Sequence, residues 1–386
     1  MHGRKARAQT TQGYRLSEES RDGREAARPI LSERQASLIG ALLAVLGPLS
    51  MSLYTPALPA IVDSLGTTPS AVKMTLALYF GGFACGQLLV GPLADSYGRK
   101  PVAMAFLGLY ILASLACLAA PGVEMLIALR LVQGIGASSG LAVSRAIVRD
   151  LYTGRQSSRV LNLIGTIVAM GPAVAPTVGS LILAAFGWRA TFLFMALVGL
   201  AALSVAALVM RETLGPDRRA FRPLAILNGY GEVISSPRFL LPAMVTSSMI
   251  GMIYAQSTFL PFILMGEAGL TPTQFGFAMI LQTGSFVLSS MVFRRLMGRL
   301  PGATLLGAGI LMMLAGSIGT ATLPLAEISL LRVMLPVSVF VAGVAFMMPY
   351  AQTAVLAPFP RLAGSASALM GFLQMGNGLL ISTAGA

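Results

Sequence analysis

Histidine occurs once in these 386 residues, tryptophan once and cysteine twice, and only 14 residues are acidic. The lone histidine, His2, stands in a polar N-terminal segment. A histidine proton relay, a catalytic triad and a histidine-held metal are thereby excluded. Cys85 and Cys117 lie inside apolar stretches, where a free thiol is a small packing residue, and no metal-ligand spacing surrounds them. No acid falls at the middle of an apolar stretch: Asp63 ends the first one, and Asp95 sits in a turn. Lacking any nucleophile, base and metal constellation, the chain is not expected to be an enzyme, and nothing in it calls for a cofactor.

What fills the chain is apolar: 55% of residues are hydrophobic, 11% are charged, and the mean hydropathy is +0.78. Eleven long apolar stretches fall at about 35–60, 70–93, 101–120, 123–146, 158–185, 190–210, 239–265, 273–293, 303–323, 326–350 and 363–386. Each can cross ~30 Å of hydrocarbon as a helix, and lipid demands that backbone polar groups be satisfied within the segment. The expected class is an all-α polytopic membrane protein. The net charge of +13 would suggest nucleic acid in a soluble protein, but these cations have another pattern. Of the Lys and Arg residues, all but Lys73, Arg130, Arg189 and Arg332 lie in the tail or in gaps on one side. That side is cytoplasmic by the positive-inside rule, which puts the N-terminus there and the chain in a bacterial inner membrane. Nucleic-acid binding is not expected.

Residues 1–34 read as a disordered basic cytoplasmic tail, with no signal-peptide pattern before the first span. Residues 35–210 form an N-terminal six-helix half, 211–238 a charged cytoplasmic linker, and 239–386 a C-terminal half. The halves echo each other at an offset of about 200: Leu53-Tyr54 with Ile253-Tyr254, Gly98-Arg99-Lys100-Pro101 with Gly298-Arg299-Leu300-Pro301, and Arg130 with Arg332. Two six-helix pseudo-repeats with a site between them describe an alternating-access transporter. The partner expected for span 6 would lie beyond Ala386, so helix 12 is apparently missing and truncation is the favoured reading.

Gly91-Pro-Leu-Ala-Asp95-Ser-Tyr-Gly98-Arg99-Lys100-Pro101, between spans 2 and 3, resembles the signature loop of the major facilitator superfamily, with Ser96 where a basic residue is usual. The resemblance implies the major facilitator fold and a conformational latch, in which Asp95 meets the start of helix 11 near Ala363–Ser365 in the outward-open state. Leu126-Ile-Ala-Leu-Arg130-Leu-Val-Gln133-Gly134-Ile-Gly136-Ala137 resembles a second motif, whose arginine is implicated in proton coupling in drug antiporters. A structural tie from helix 4 to helix 1 is the alternative for Arg130. Gly171-Pro172-Ala-Val-Ala175-Pro176-Thr-Val-Gly179 resembles the antiporter motif of helix 5, where prolines bend the helix and small residues press it on helix 8. A packing kink without directional meaning is the alternative there.

Ser52-Leu-Tyr54-Thr-Pro56-Ala-Leu-Pro59, Arg149-Asp150-Leu and Gly364-Ser-Ala-Ser-Ala-Leu-Met-Gly371-Phe-Leu-Gln374 resemble the Bcr/CflA drug-resistance branch. That branch often carries an Asp where this chain has Ser52. Proton coupling is therefore implied by the resemblance alone, with Asp63, Asp95 or water held by Arg130 as candidate carriers. Arg130, Gln133 and Asp63 are the coupling or cavity candidates; Tyr54, Tyr254, Gln256, Gln282, Gln374 and Asn377 are the substrate-cavity candidates. Together with 22 methionines, these neutral groups suit neutral or weakly polar lipophilic cargo. The expected function is proton-coupled efflux of small lipophilic drugs or metabolites by a monomer in the bilayer. A same-fold carrier for one natural metabolite and an inactive or non-transporting membrane protein are the alternatives.

Overall fold

The computed structural model describes residues 31–214, 220–325 and 327–385. The expected disorder of the tail falls outside these residues, apart from 31–34, where Ser32 caps the first helix and Glu33 and Arg34 open it. Long helices dominate: α1 (Glu33–Leu65), α2 (Pro69–Tyr97), α3 (Arg99–Leu118), α4 (Val123–Leu151), α5 (Gly154–Phe186) and α6 (Arg189–Leu208), then α7 (Pro237–Glu267), α8 (Pro272–Leu296), α9 (Gly302–Leu325), α10 (Leu330–Leu356) and α11 (Ala363–Ala384). Among the described residues nine of these are long and apolar enough to cross a membrane. Of the other two, α5 carries an uncharged apolar run over 160–186, and α11 is diluted by serine, glutamine and asparagine. At 22 residues α11 still reaches about 33 Å.

Local sequence sets these ends. Ser32 and Gln35 form a reciprocal capping box before α1, and Thr271 and Gln274 do the same before α8. Gly98 takes φ +111° between α2 and α3, a backbone open to glycine alone at low cost, which is why the chain reverses there without a loop. Proline breaks regularity inside spans: Pro56 lies in a 3-10 turn (Thr55–Ala57) within α1, and Pro261 precedes the π-helical end of α7 (Phe262–Glu267).

Within the first half α1 packs on α5 and on the inner part of α4, α2 on α4, and α3 on α6. Close backbone approach explains the glycine content here. A Cβ on Gly140 would collide with the Leu43 carbonyl of α1, and one on Gly134 with the Tyr79 carbonyl of α2. Later in the chain α7 packs on α11, α8 on α10 and α9 on α10. The two groups meet chiefly along α2 with α11 and α5 with α8.

The linker is more built than a charged gap suggests. Pro223–Ile234 is a helix packed against α11, and its Tyr230 hydroxyl donates to the Leu88 carbonyl of α2 at 2.7 Å. The expected internal echoes diverge in three dimensions. Tyr54 is fully buried, whereas Tyr254 stacks on Phe80 across the two groups, with ring centroids 5.0 Å apart. Gly298 lacks the positive φ of Gly98. Arg332, in the first turn of α10 and half-buried, donates to the Thr322 carbonyl at 3.1 Å, while Arg130 lies deep inside α4.

Candidate functional site: a two-walled cleft on the basic side

The turn from α2 to α3 is locked from within its own half. The Glu212 carboxylate, just past α6, accepts from the Arg99 and Lys100 backbone N–H groups at 3.0 and 3.2 Å and from Thr213 and Leu214 at 3.0 and 2.9 Å. It thus caps the N-terminus of α3, where unpaired N–H groups favour an anion. Burial raises the Glu212 pKa, but these backbone donors outweigh it and hold the carboxyl below its usual range. Lys100 Nζ donates to the Ala207 carbonyl at 2.7 Å.

Arg99, 2% exposed, bridges two acids: it pairs with Asp95 and, at 2.9 Å, with Asp150 of α4. Asp95 also has Arg149 at 3.6 Å. Among the described residues Asp95 therefore bonds only within its own half, and the expected contact to the start of α11 is not made in this conformation. The physical reason is an open space between them: a cleft of about 680 Å³ separates Asp95 and Gly91 on α2 from Ala363–Ser365 on α11.

That cleft opens on the basic side and is walled by α2, α4, α11 and the linker helix. At its floor Gln87 of α2 lies against Gly371 of α11, so close that a Cβ there would strike the amide. Across the cleft Arg145 of α4 donates to the Ser367 hydroxyl of α11 at 2.9 Å. Burial, then the charge of Asp95, push the Tyr230 hydroxyl up to about 12, so it remains a donor at neutral pH.

The opposite side is sealed. Phe80 stacks on Tyr254, Lys73 sits 4.9 Å from the Phe259 ring centroid and 5.4 Å from that of Phe262, and its Nζ donates to the Gly385 carbonyl at 3.4 Å. The Thr177 hydroxyl of α5 donates to the Gly276 carbonyl of α8 at 2.9 Å. Small residues do join α5 to α8, but Gly171 and Gly179 of the helix 5 motif face Val45 and Leu53 of α1 instead. Pro176 is buried within α5; the side chain of Pro172 lies outside the description.

Arg130 and Gln133 sit apart from the cleft, both with no exposure. The Arg130 guanidinium lies 4.3 Å from the Tyr54 ring and 4.2 Å from the Tyr79 ring, and donates to Gln133 Oε1. Gln133 in turn donates to Ser114 at 2.7 Å, and Tyr54 bonds Thr75 at 2.8 Å. Tyr54 is thus enclosed in the first half beside Arg130 and faces no opening. Arg130 Nε and Nη2 have no hydrogen-bond partner among the described residues. Asp63 is exposed at the far end of α1, remote from this cluster.

Gln282 donates to Gln256 at 2.9 Å between α8 and α7, and Asn377 donates to Ser248 at 3.4 Å between α11 and α7. Neither these amides nor Gln374 lines the cleft. Sequence reasoning missed Gln87, Arg145, Asp150, Glu212 and Ser367. The usable signal was Arg145 standing four residues before Arg149, one helical turn deeper than a gap residue should be.

The sequence profile of the Major Facilitator Superfamily matches residues 40–382. A chloramphenicol resistance protein of Pseudomonas aeruginosa is 32% identical over 340 residues, covering 84% of this chain and 77% of its own. The multidrug resistance protein MdtL of Shigella dysenteriae is 30% identical over 338 residues, covering 86% and 83%. The crystal structure of a D-xylose-proton symporter superposes with a TM-score of 0.68 at 16% identity, covering 91% of this chain and 89% of that one. With helices packed as described and a cleft between two groups of them, the chain belongs to the Major Facilitator Superfamily of transporters.

Proposed function

We propose that this transporter exports small lipophilic drugs or metabolites by proton-coupled alternating access, as a Bcr/CflA-type monomer in a bacterial inner membrane. In this reading α1–α6 and α7–α11 are two pseudo-repeated halves, all eleven helices span, and the N-terminus is cytoplasmic. The observation that carries it is the cleft of about 680 Å³, open on the arginine-rich side and sealed opposite by Phe80 and Tyr254. The positive-inside rule makes that opening cytoplasmic, the side from which an exporter loads. Relatives named for chloramphenicol and multidrug resistance support the cargo class. The halves rock about the α2–α11 and α5–α8 contacts, and closure of the cleft brings Asp95 to the start of α11 as the latch. Lys100 and Gly98 hold the turn that aims Asp95.

The test is accumulation of chloramphenicol and of a neutral lipophilic dye in pump-deficient bacteria expressing the chain, with and without a protonophore. Lower accumulation that the protonophore abolishes is expected. Unchanged accumulation, with the protein verified in the membrane, refutes export. A carrier for one natural metabolite is the second reading, favoured by the hydrogen-bonding groups gathered at the cleft floor, Gln87, Arg145 and Ser367.

A further inference from the structure

The charges lining the cleft do not balance. Arg99 and Arg149 pair with Asp95, and Arg99 also pairs with Asp150, so two guanidinium groups answer two carboxylates. Arg145 and Arg361 line the same space, and among the described residues neither has an acidic partner within ion-pair distance. Arg145 is held by one bond to a neutral hydroxyl, Ser367, at 2.9 Å, and stays accessible from the cleft. Beside it Gln87 is 7% exposed, and its amide has no hydrogen-bond partner among the described residues. A guanidinium keeps its charge at any physiological pH and presents planar paired donors that match a carboxylate. Low-dielectric walls focus such a field toward the opening. The arrangement disfavours a cationic guest and leaves one donor set unused.

We propose that Arg145, with Gln87 and Ser367, is an anion-recognition site in the cleft, taking lipophilic cargo that carries a carboxylate. This deepens the transport reading and rests on it for the word cargo, but the binding claim stands separately. The carboxylate accepts two parallel N–H bonds from Arg145, displacing the single bond to Ser367, while the Gln87 amide donates a third. The apolar remainder of the guest lies toward Val90 and Leu141, which line the same space.

The test is equilibrium dialysis of the full chain in detergent at pH 7.5 with 2-naphthoate and with its uncharged isostere 2-naphthamide. Charge-assisted pairing predicts that wild type prefers the carboxylate by on the order of tenfold to a hundredfold. Arg145→Gln is expected to erase that preference by weakening carboxylate binding far more than naphthamide binding, and Arg145→Lys to restore part of it. Equal binding of the two probes to wild type overturns the site, and so does a preference that survives in Arg145→Gln. Wild type alone supplies the first comparison, so a variant that fails to fold does not rescue the idea. A protein that exports chloramphenicol yet shows no carboxylate preference retires the anion site and leaves the transport reading standing. A preference without export does the reverse.

Discussion

Replacing Arg130 by methionine should abolish coupled transport while leaving the protein about as stable as before. Two aromatic faces at 4.3 and 4.2 Å contribute ~2 kcal/mol each to a desolvated cation. The charge-assisted bond to Gln133 adds about 2 kcal/mol. Against this, placing an arginine in hydrocarbon costs about 3 kcal/mol. The unpartnered Nε and Nη2 cost about 2 kcal/mol each. Favourable and unfavourable sides thus come to ~6 and ~7 kcal/mol, so the guanidinium is close to neutral for folding. Methionine fills the space between Tyr54 and Tyr79, whose hydroxyls keep Thr75 and the Gly47 carbonyl as partners. Its denaturant unfolding free energy should stay within ~2 kcal/mol of wild type. Protonophore-sensitive efflux, assayed at matched membrane levels, should vanish. A methionine variant that fails to fold would show that Arg130 ties α4 to α1 and α2 as scaffolding. One that transports with unchanged pH dependence would show the cation to be idle.

Hydropathy and charge asymmetry were enough to read the helical class and the side that carries arginine, because lipid imposes both on the sequence directly. Individual roles inside the bundle were less legible. Tyr54 and Tyr254 look alike along the chain, yet one is walled in beside Arg130 and the other stacks on Phe80 across the interface. Which of them faces an opening depends on the rotation of α1 and α7 about their axes. Proline interrupts both helices, so periodicity does not carry through. Arg145 was hidden for another reason. The fourth span ends at Leu151, not near 146, and a residue that counts as a gap cation is six positions inside the helix. Arg130, in turn, lies about 10 Å from the middle of the 29-residue α4, toward the sealed side. Glu212 could not be foreseen as the cap of α3, since more than a hundred residues separate the two and only packing of α6 on α3 joins them.

Glu212→Gln should remove an acid-sensitive part of stability. A carboxyl whose folded pKa is depressed stabilises the fold above its unfolded value of about 4.3 and loses that contribution as pH falls through the folded value. Wild type should therefore weaken on acidification below that point, and the variant should weaken less; identical acid limbs would contradict the cap. Gly140→Ala forces a methyl against the Leu43 backbone and should cost ~1–3 kcal/mol in denaturant unfolding. Gly108→Ala, with open space around it, should be neutral; equal effects would refute the close approach of α1 and α4. Asp95→Asn should leave expression intact, because Arg99 keeps Asp150 as a partner, yet cripple efflux, because an uncharged side chain has little attraction for the start of α11. Near-normal efflux in that variant at matched protein levels would rule out Asp95 as the group that closes the cleft.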